Sequence, residues 1–209
     1  MRLTVVAGAR PNFMKIAPLI HAVKKLDPSA KQIQYRLVHT GQHYDRKLSQ
    51  TFFEELGIPQ PDVNLGVGSG TQAEQTAGIM LGFEKELIAN PSDLVIVVGD
   101  VTSTMACSIT AKKLNIKVAH IEAGIRSFDL TMPEEINRMV TDSITDLFFT
   151  TSHFANENLR KTGVPDENIY FVGNVMIDTL LANRHKFRKP ALWDELVLKE
   201  KGYIVITLH

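Results

Sequence analysis

The sequence predicts a doubly wound parallel α/β sheet, and three observations carry that prediction. Short apolar runs alternate with segments of helical period along most of the 209 residues. The runs, Leu94 to Val98 above all, are aliphatic without polar alternation, as strands covered on both faces must be. Polar and charged residues gather just after the runs, where open α/β sheets bind ligands.

Leu3 to Ala7 is the first run, and Gly8 supplies a tight exit. From Lys15 the apolar residues Ile16, Leu19, Ile20, Val23 and Leu26 recur at helical spacing until Asp27-Pro28 closes the helix. Ile33 to Val38 is the second strand, followed by the polar turn His39 to Asp45 and a helix carrying Leu48, Phe52, Phe53 and Leu56. A short strand near Val63 to Leu65 precedes Thr71-x-x-Glu74, a capping box that opens a long helix. Leu94 to Val98 ends in Gly99-Asp100, and a helix from Thr102 to Leu114 leads to the strand Lys117 to Ile121. Leu147 to Thr150, a helix capped by Ser152, Ile169 to Val172 and a helix from Val175 to Phe187 continue the alternation. Tyr203 to Leu208 reads as a last strand that has no covering helix, and so as the beginning of a second α/β domain. The expected division is 1–174 and 175–209.

Composition excludes several functions. Lys plus Arg and Asp plus Glu both total 23, with no block of like charge, so neither nucleic acid nor a membrane surface is an expected partner. The N-terminal apolar run is too short for a signal core, and the five-residue run at Leu94 falls far below the roughly 18 residues of a membrane helix. A soluble, cytoplasmic protein is expected. The single Cys107 rules out a disulfide framework and reads as a core residue.

The chemistry concentrates in Val118 to Arg138. Glu122, Asp129, Glu134 and Glu135 share this stretch with Arg126. A capping box Thr131-x-x-Glu134, Pro133 at an early helical position and an i,i+4 pair from Glu134 to Arg138 would account for Glu134 and Arg138 without chemistry. Glu122 has no such account. Asp100 could cap a helix, but beside Glu122 on one rim it suggests proton transfer next to a departing phosphate. Arg10 and Lys15 flank the start of the first helix, where free N–H groups favour an anion such as a diphosphate. Dinucleotide and phosphate-loop glycine patterns are absent, which argues against NAD or ATP. His39 and His43 alone are too few ligands for a metal, and none is assigned.

Gly8-Ala9-Arg10-Pro11 with Lys15, Gly41-Gln42-His43, Gly99-Asp100, His120 to Arg126, Pro133-Glu134-Glu135-x-Asn137-Arg138 and Gly173-Asn174-x-x-Ile177-Asp178 occur in order along the chain. This ordered set resembles the UDP-N-acetylglucosamine 2-epimerases. The resemblance implies two Rossmann-like domains facing across a cleft, the architecture of a large glycosyltransferase class, of which this chain is the first half. It implies interconversion of UDP-N-acetylglucosamine and UDP-N-acetylmannosamine through elimination of UDP, without metal or redox cofactor, in a homodimer that serves polysaccharide biosynthesis. By position, Asp100, Glu122, Glu134 and His209 resemble the family's catalytic residues, and Arg10, Lys15, Gln42, His43, Arg126 and Asn174 its substrate contacts. The chain departs from many bacterial members at Ala9, Asn12 and Gly41, the last in a turn that helps hold a second, activating substrate molecule. A hydrolysing 2-epimerase, a glycosyltransferase and a non-catalytic nucleotide-sugar-binding half-protein are the alternatives.

Overall fold

Each apolar run is separated from the next by a connection long enough to cross a sheet face, so the strands can all run in one direction. A computed structural model describes residues 1–41 and 53–207. Its elements are β1 (Arg2–Ala7), α1 (Arg10–Leu26), β2 (Gln34–His39), β3 (Val63–Asn64), α2 (Gln72–Ala89), β4 (Leu94–Val98), α3 (Thr102–Lys113) and β5 (Lys117–Ile121), followed by α4 (Pro133–Ile144), β6 (Leu147–Thr150), α5 (His153–Lys161), β7 (Ile169–Phe171), α6 (Val175–Asn183) and α7 (Ala191–Glu195). The strands form one parallel sheet in the order β3-β2-β1-β4-β5-β6-β7. The order reverses between β1 and β4. That switch point opens a crevice at the carboxyl ends of the central strands.

Aliphatic strands without alternation make sense in this frame. Val5, Leu37, Ile96 and Ile121 pack with Phe13, Ile16 and Ile20 on one face. Val6, Val38, Val95, Val97 and Val118 pack with Ile79, Phe83 and Cys107 on the other. Cys107 is fully buried, and desolvation pushes its thiol well up, away from the reactive thiolate.

Helix α1 starts at Arg10 rather than near Lys15, because Pro11 suits a first helical turn where no N–H is needed. Pro18 lies inside the same helix and has no N–H for the carbonyl of Met14. The hydroxyl of Thr179 on α6 donates to that carbonyl at 2.5 Å. A backbone acceptor freed by proline thus becomes the docking point for α6.

Other expectations need correction. Residues 203–207 form no strand, and Ile204, Val205 and Ile206 are 87%, 76% and 77% exposed. A β-type sequence pairs only where an edge is offered, and this segment adds to neither edge of the sheet. The helix from Val175 ends at Asn183 and passes into a 3-10 turn at Arg184–Lys186. Of the helix expected after β2, residues 53–56 are helical, while Leu48 and Phe52 lie outside the described residues. Among the described residues no helix is long and apolar enough to cross a membrane.

Thr179→Val removes one hydroxyl at nearly constant shape and leaves the Met14 carbonyl buried without a donor. It is expected to lower stability by about 1–3 kcal/mol in urea unfolding, whereas Thr179→Ser should stay near the unsubstituted value.

Candidate functional site

The register of the central strands places the ends of β1, β4 and β5 side by side. Val98 pairs with Ile121, so Gly99 and Glu122 leave the sheet as neighbours. Asn12, in the first turn of α1, ties these ends together. Its side-chain oxygen accepts from the N–H groups of Gly8 and Ala9 at 3.0 and 2.9 Å, and its amide donates to the carbonyl of Val98 at 3.2 Å. Thr104 of α3 donates to the same carbonyl at 2.8 Å. The crevice therefore has a rigid rim.

Lys15 and Glu122 meet across it. The ammonium stands 2.5 Å from Oε2 of Glu122, and the two side chains are only 14% and 11% exposed. Glu122 adopts a left-handed conformation with φ +69, a strained state that turns the chain out of β5. Its N–H is retained by the carbonyl of Phe149 at 2.9 Å. Gly99, φ +70, lies beneath the pair, and a Cβ there would come within 3.3 Å of the Lys15 nitrogen and 3.5 Å of the Glu122 oxygen.

Asp100 stands next along the rim and does not cap α3, whose N-cap is Val101. Its carboxylate accepts from Arg138 at 2.5 Å, and its carbonyl accepts from the side chain of Asn137 at 2.8 Å. Asp100 is one-third exposed, so a charged oxygen remains available to the crevice. Arg138 also donates to Glu135 at 2.8 Å and has no bond to Glu134, the partner expected from spacing. Glu135, 1% exposed, accepts from the backbone of Ser127 at 3.0 Å and of Phe128 at 3.2 Å and so holds the loop before α4. Burial raises its carboxyl, but the Ser127 N–H, Arg138 and the Phe128 N–H together outweigh that and leave it lowered.

The expected capping box at Thr131 does not form. Thr131 donates through both its N–H and its hydroxyl to Asp129, at 2.9 and 2.6 Å, and the N-cap of α4 is Met132. An Asx turn competes for the threonine and wins. Glu134 is exposed and has no hydrogen-bond partner among the described residues.

Arg126 is engaged elsewhere. Its guanidinium lies 2.6 Å from the carboxylate of Asp142 and is 7% exposed. Asp142, almost fully buried, also accepts from the N–H of Gly124 at 3.0 Å and meets His120 Nδ1 at 2.7 Å. Burial raises the Asp142 carboxyl, but His120 and Arg126 pull it lower than an ordinary aspartate. Gly124 is required here. At φ +78 it passes so close to α5 that a Cβ would meet the carbonyl oxygen of Ala155 at 2.4 Å.

The remaining expected site residues fall apart from this cluster. Asn174 caps α6 through a bond from the N–H of Met176 at 3.0 Å. The backbone of Arg10 begins α1. Gln42, His43 and His209 lie outside the described residues. His39 is buried against Phe13, and burial lowers its imidazole despite a hydrogen bond to the side chain of Asn64. Among the described residues no three His, Cys, Asp or Glu side chains gather as a metal would require. Sequence reasoning missed Asn12, His120 and Asp142 as site-building groups. The spacing of Glu135, Arg138 and Asp142, polar at i, i+3 and i+7, is the signal that could have found the buried face of α4.

Because Glu135 is lowered in the folded state, its contribution is present above the unfolded glutamate value near about 4.3 and is lost as pH falls through the folded value. Glu135→Gln is accordingly expected to destabilise by about 1–3 kcal/mol at pH 7, with the difference shrinking below about pH 4 in a pH series of urea unfolding curves.

Comparison with known proteins gives this geometry a context. Residues 24–209 match the family described as UDP-N-acetylglucosamine 2-epimerase. The UDP-N-acetylglucosamine 2-epimerase of Methanocaldococcus jannaschii is 39% identical over 213 residues, which cover 100% of this chain and 57% of that protein. A homolog of the same enzyme from Methanococcus maripaludis is 42% identical over 211 residues, with the same coverage of 100% and 57%. The crystal structure of the Methanocaldococcus jannaschii enzyme in complex with UDP-GlcNAc and UDP superposes with a TM-score of 0.85 at 40% identity, over 94% of this chain and 53% of that one. The chain spans just over half the length of these relatives.

Proposed function

Because the chain belongs to the UDP-N-acetylglucosamine 2-epimerase family, we propose that the whole protein interconverts UDP-N-acetylglucosamine and UDP-N-acetylmannosamine. The observation that carries the reading is the pairing of Asp100 and Glu122 on one rim, each beside its own cation, at the switch point of a parallel sheet. Such a rim can serve a reaction that moves a proton on one side of a sugar while a diphosphate leaves. In the forward half, a carboxylate takes the proton from C2, the C2–H electrons form the C1–C2 double bond, and UDP departs with the C1–O electrons. In the reverse half, UDP oxygen adds back to C1 and C2 is protonated from the opposite face. The net change is inversion at C2.

Within this reading Asp100, Glu122 and Glu134 supply the acid and base, joined by His209, and the N-terminus of α1 with Arg10 and Lys15 receives the diphosphate. Gln42 and His43 are taken as substrate contacts, whereas Arg126 and Asn174 serve by fixing their loop and the start of α6. Lys15 has a second duty, because it already neutralises Glu122. Residues 1–174 form the first domain, and 175–209 lead into a second that closes the cleft. The reading further takes the protein as a cytoplasmic homodimer feeding polysaccharide synthesis. Phe128, Leu130, Ile136 and Met139, exposed on α4 and the loop before it, support the assembly.

Two measurements test the reading. The whole protein incubated with UDP-N-acetylglucosamine in heavy water is expected to yield UDP-N-acetylmannosamine carrying deuterium at C2; product without deuterium would remove the proton-abstraction mechanism. Asp100→Asn and Glu122→Gln are each expected to lower kcat of the folded protein by about 10² or more; the partly exposed Asp100 variant should unfold much as the unsubstituted protein does, whereas Glu122→Gln, which leaves Lys15 without its partner, should also lose stability. A glycosyltransferase on the same scaffold would show neither exchange at C2 nor that dependence.

Since these 209 residues span about half the length of the relatives, residues 1–209 expressed alone are expected to fold and yet show no turnover in a coupled assay for UDP-N-acetylmannosamine. Turnover comparable to that of the whole protein would place the entire site in one domain.

A further inference from the structure

Asp142 faces none of the crevice directly, yet it holds the groups that hold the crevice. One of its carboxylate oxygens meets Nδ1 of His120 at 2.7 Å. The other meets the guanidinium of Arg126 at 2.6 Å and the N–H of Gly124 at 3.0 Å. On the far side of the ring, Nε2 of His120 lies 2.7 Å from the carbonyl oxygen of Gly99. A carbonyl can only accept, so Nε2 carries a hydrogen. An ionised carboxylate can only accept as well, so the ring is held between two acceptors.

The consequence reaches the rim through Gly99. Its N–H donates to the carbonyl of Ile121 at 2.9 Å, and its carbonyl accepts from His120, so both polar groups of this residue are clamped to β5. Gly99 precedes Asp100 and underlies the Lys15–Glu122 pair so closely that a Cβ on it would stand 3.3 to 3.5 Å from the two charged groups. Any rotation of its peptide would carry Asp100 along and reopen the floor beneath Glu122. From Asp142 the other branch fixes Gly124 and Arg126, two and four residues beyond Glu122. The two carboxylates on the rim are thus referred to a single buried anion.

We propose that Asp142 is a positioning residue for the reaction proposed above: by holding the His120 ring against the Gly99 carbonyl, and Gly124 and Arg126 at the base of the next loop, it sets the separation of Asp100 and Glu122. The proposal rests on the epimerase reading and adds to it a residue that never touches the substrate.

Asp142→Asn tests it. The variant is nearly isosteric, but its amide must turn an NH₂ either toward His120 Nδ1 or toward Arg126 and Gly124. The kcat of the whole protein is expected to fall by roughly 10²-fold, the scale of a small misplacement of reacting groups, while KM for UDP-N-acetylglucosamine changes less than about twofold. Nitrogen-15 spectra of the unsubstituted protein at neutral pH are expected to show hydrogens on both ring nitrogens of His120. An unchanged kcat, or a loss of folded protein with normal turnover in what remains folded, overturns the proposal and leaves the epimerase reading standing. Should the variant fail to fold, the spectra decide: a bare ring nitrogen overturns the proposal, and two protonated ones sustain it. An unsubstituted protein that does not epimerise overturns the reading and takes the proposal with it.

Discussion

A histidine with no access to water, His120, is the joint on which the crevice depends. It sits on a central strand and bonds in two directions, to the turn after the neighbouring strand and to a helix packed over the sheet. Strand pairing alone would bring Gly99 and Glu122 together, since Val98 and Ile121 are in register. It would not fix how the chain turns beyond them. At that point the backbone leaves the ladder, and its polar groups need other partners. His120 provides one of them, Asn12 and Asn137 provide others, and each comes from a different element.

Burying such a joint has consequences for charge. Removing one partner from a buried ion pair costs about 3–5 kcal/mol, because the survivor stays desolvated and unpaired. The site avoids uncompensated charge by matching Lys15, His120, Arg126 and Arg138 against Asp100, Glu122, Glu135 and Asp142. Three basic side chains and an imidazole meet four carboxylates.

Strand and helix order was legible in the sequence because parallel strands covered on both faces read as aliphatic runs. Asp100, Glu122 and Lys15 were legible as well, since each follows or flanks a strand end. What escaped was side-chain partnership. Spacing suggested Glu134 for Arg138, whereas the helix turns Glu135 inward and leaves Glu134 in solvent. Thr131 matched a capping box in pattern, but Asp129 two residues earlier offered a nearer acceptor. Tyr203 to Ile206 had the composition of a strand but pairs with neither edge of the sheet. Pattern encodes what a segment can do locally, and long-range contacts select among the possibilities.

The difference between Glu134 and its neighbours has a physical meaning for the site. Asp100, Glu122 and Glu135 each hold a cation, Arg138 for the first and last and Lys15 for Glu122, and Glu135 also accepts from the N–H groups of Ser127 and Phe128, so their oxygens stand in place before any ligand arrives. Fixed groups of this kind need little rearrangement when charge develops nearby. Glu134 projects from the first turn of α4 with no described partner, so its carboxylate is free to take up a position that a bound molecule or a closing surface dictates. Preorganised carboxylates at the strand ends and on the inner face of α4, and a movable one on its outer face, are two different instruments. A reaction that must handle a proton on both faces of one carbon has use for each.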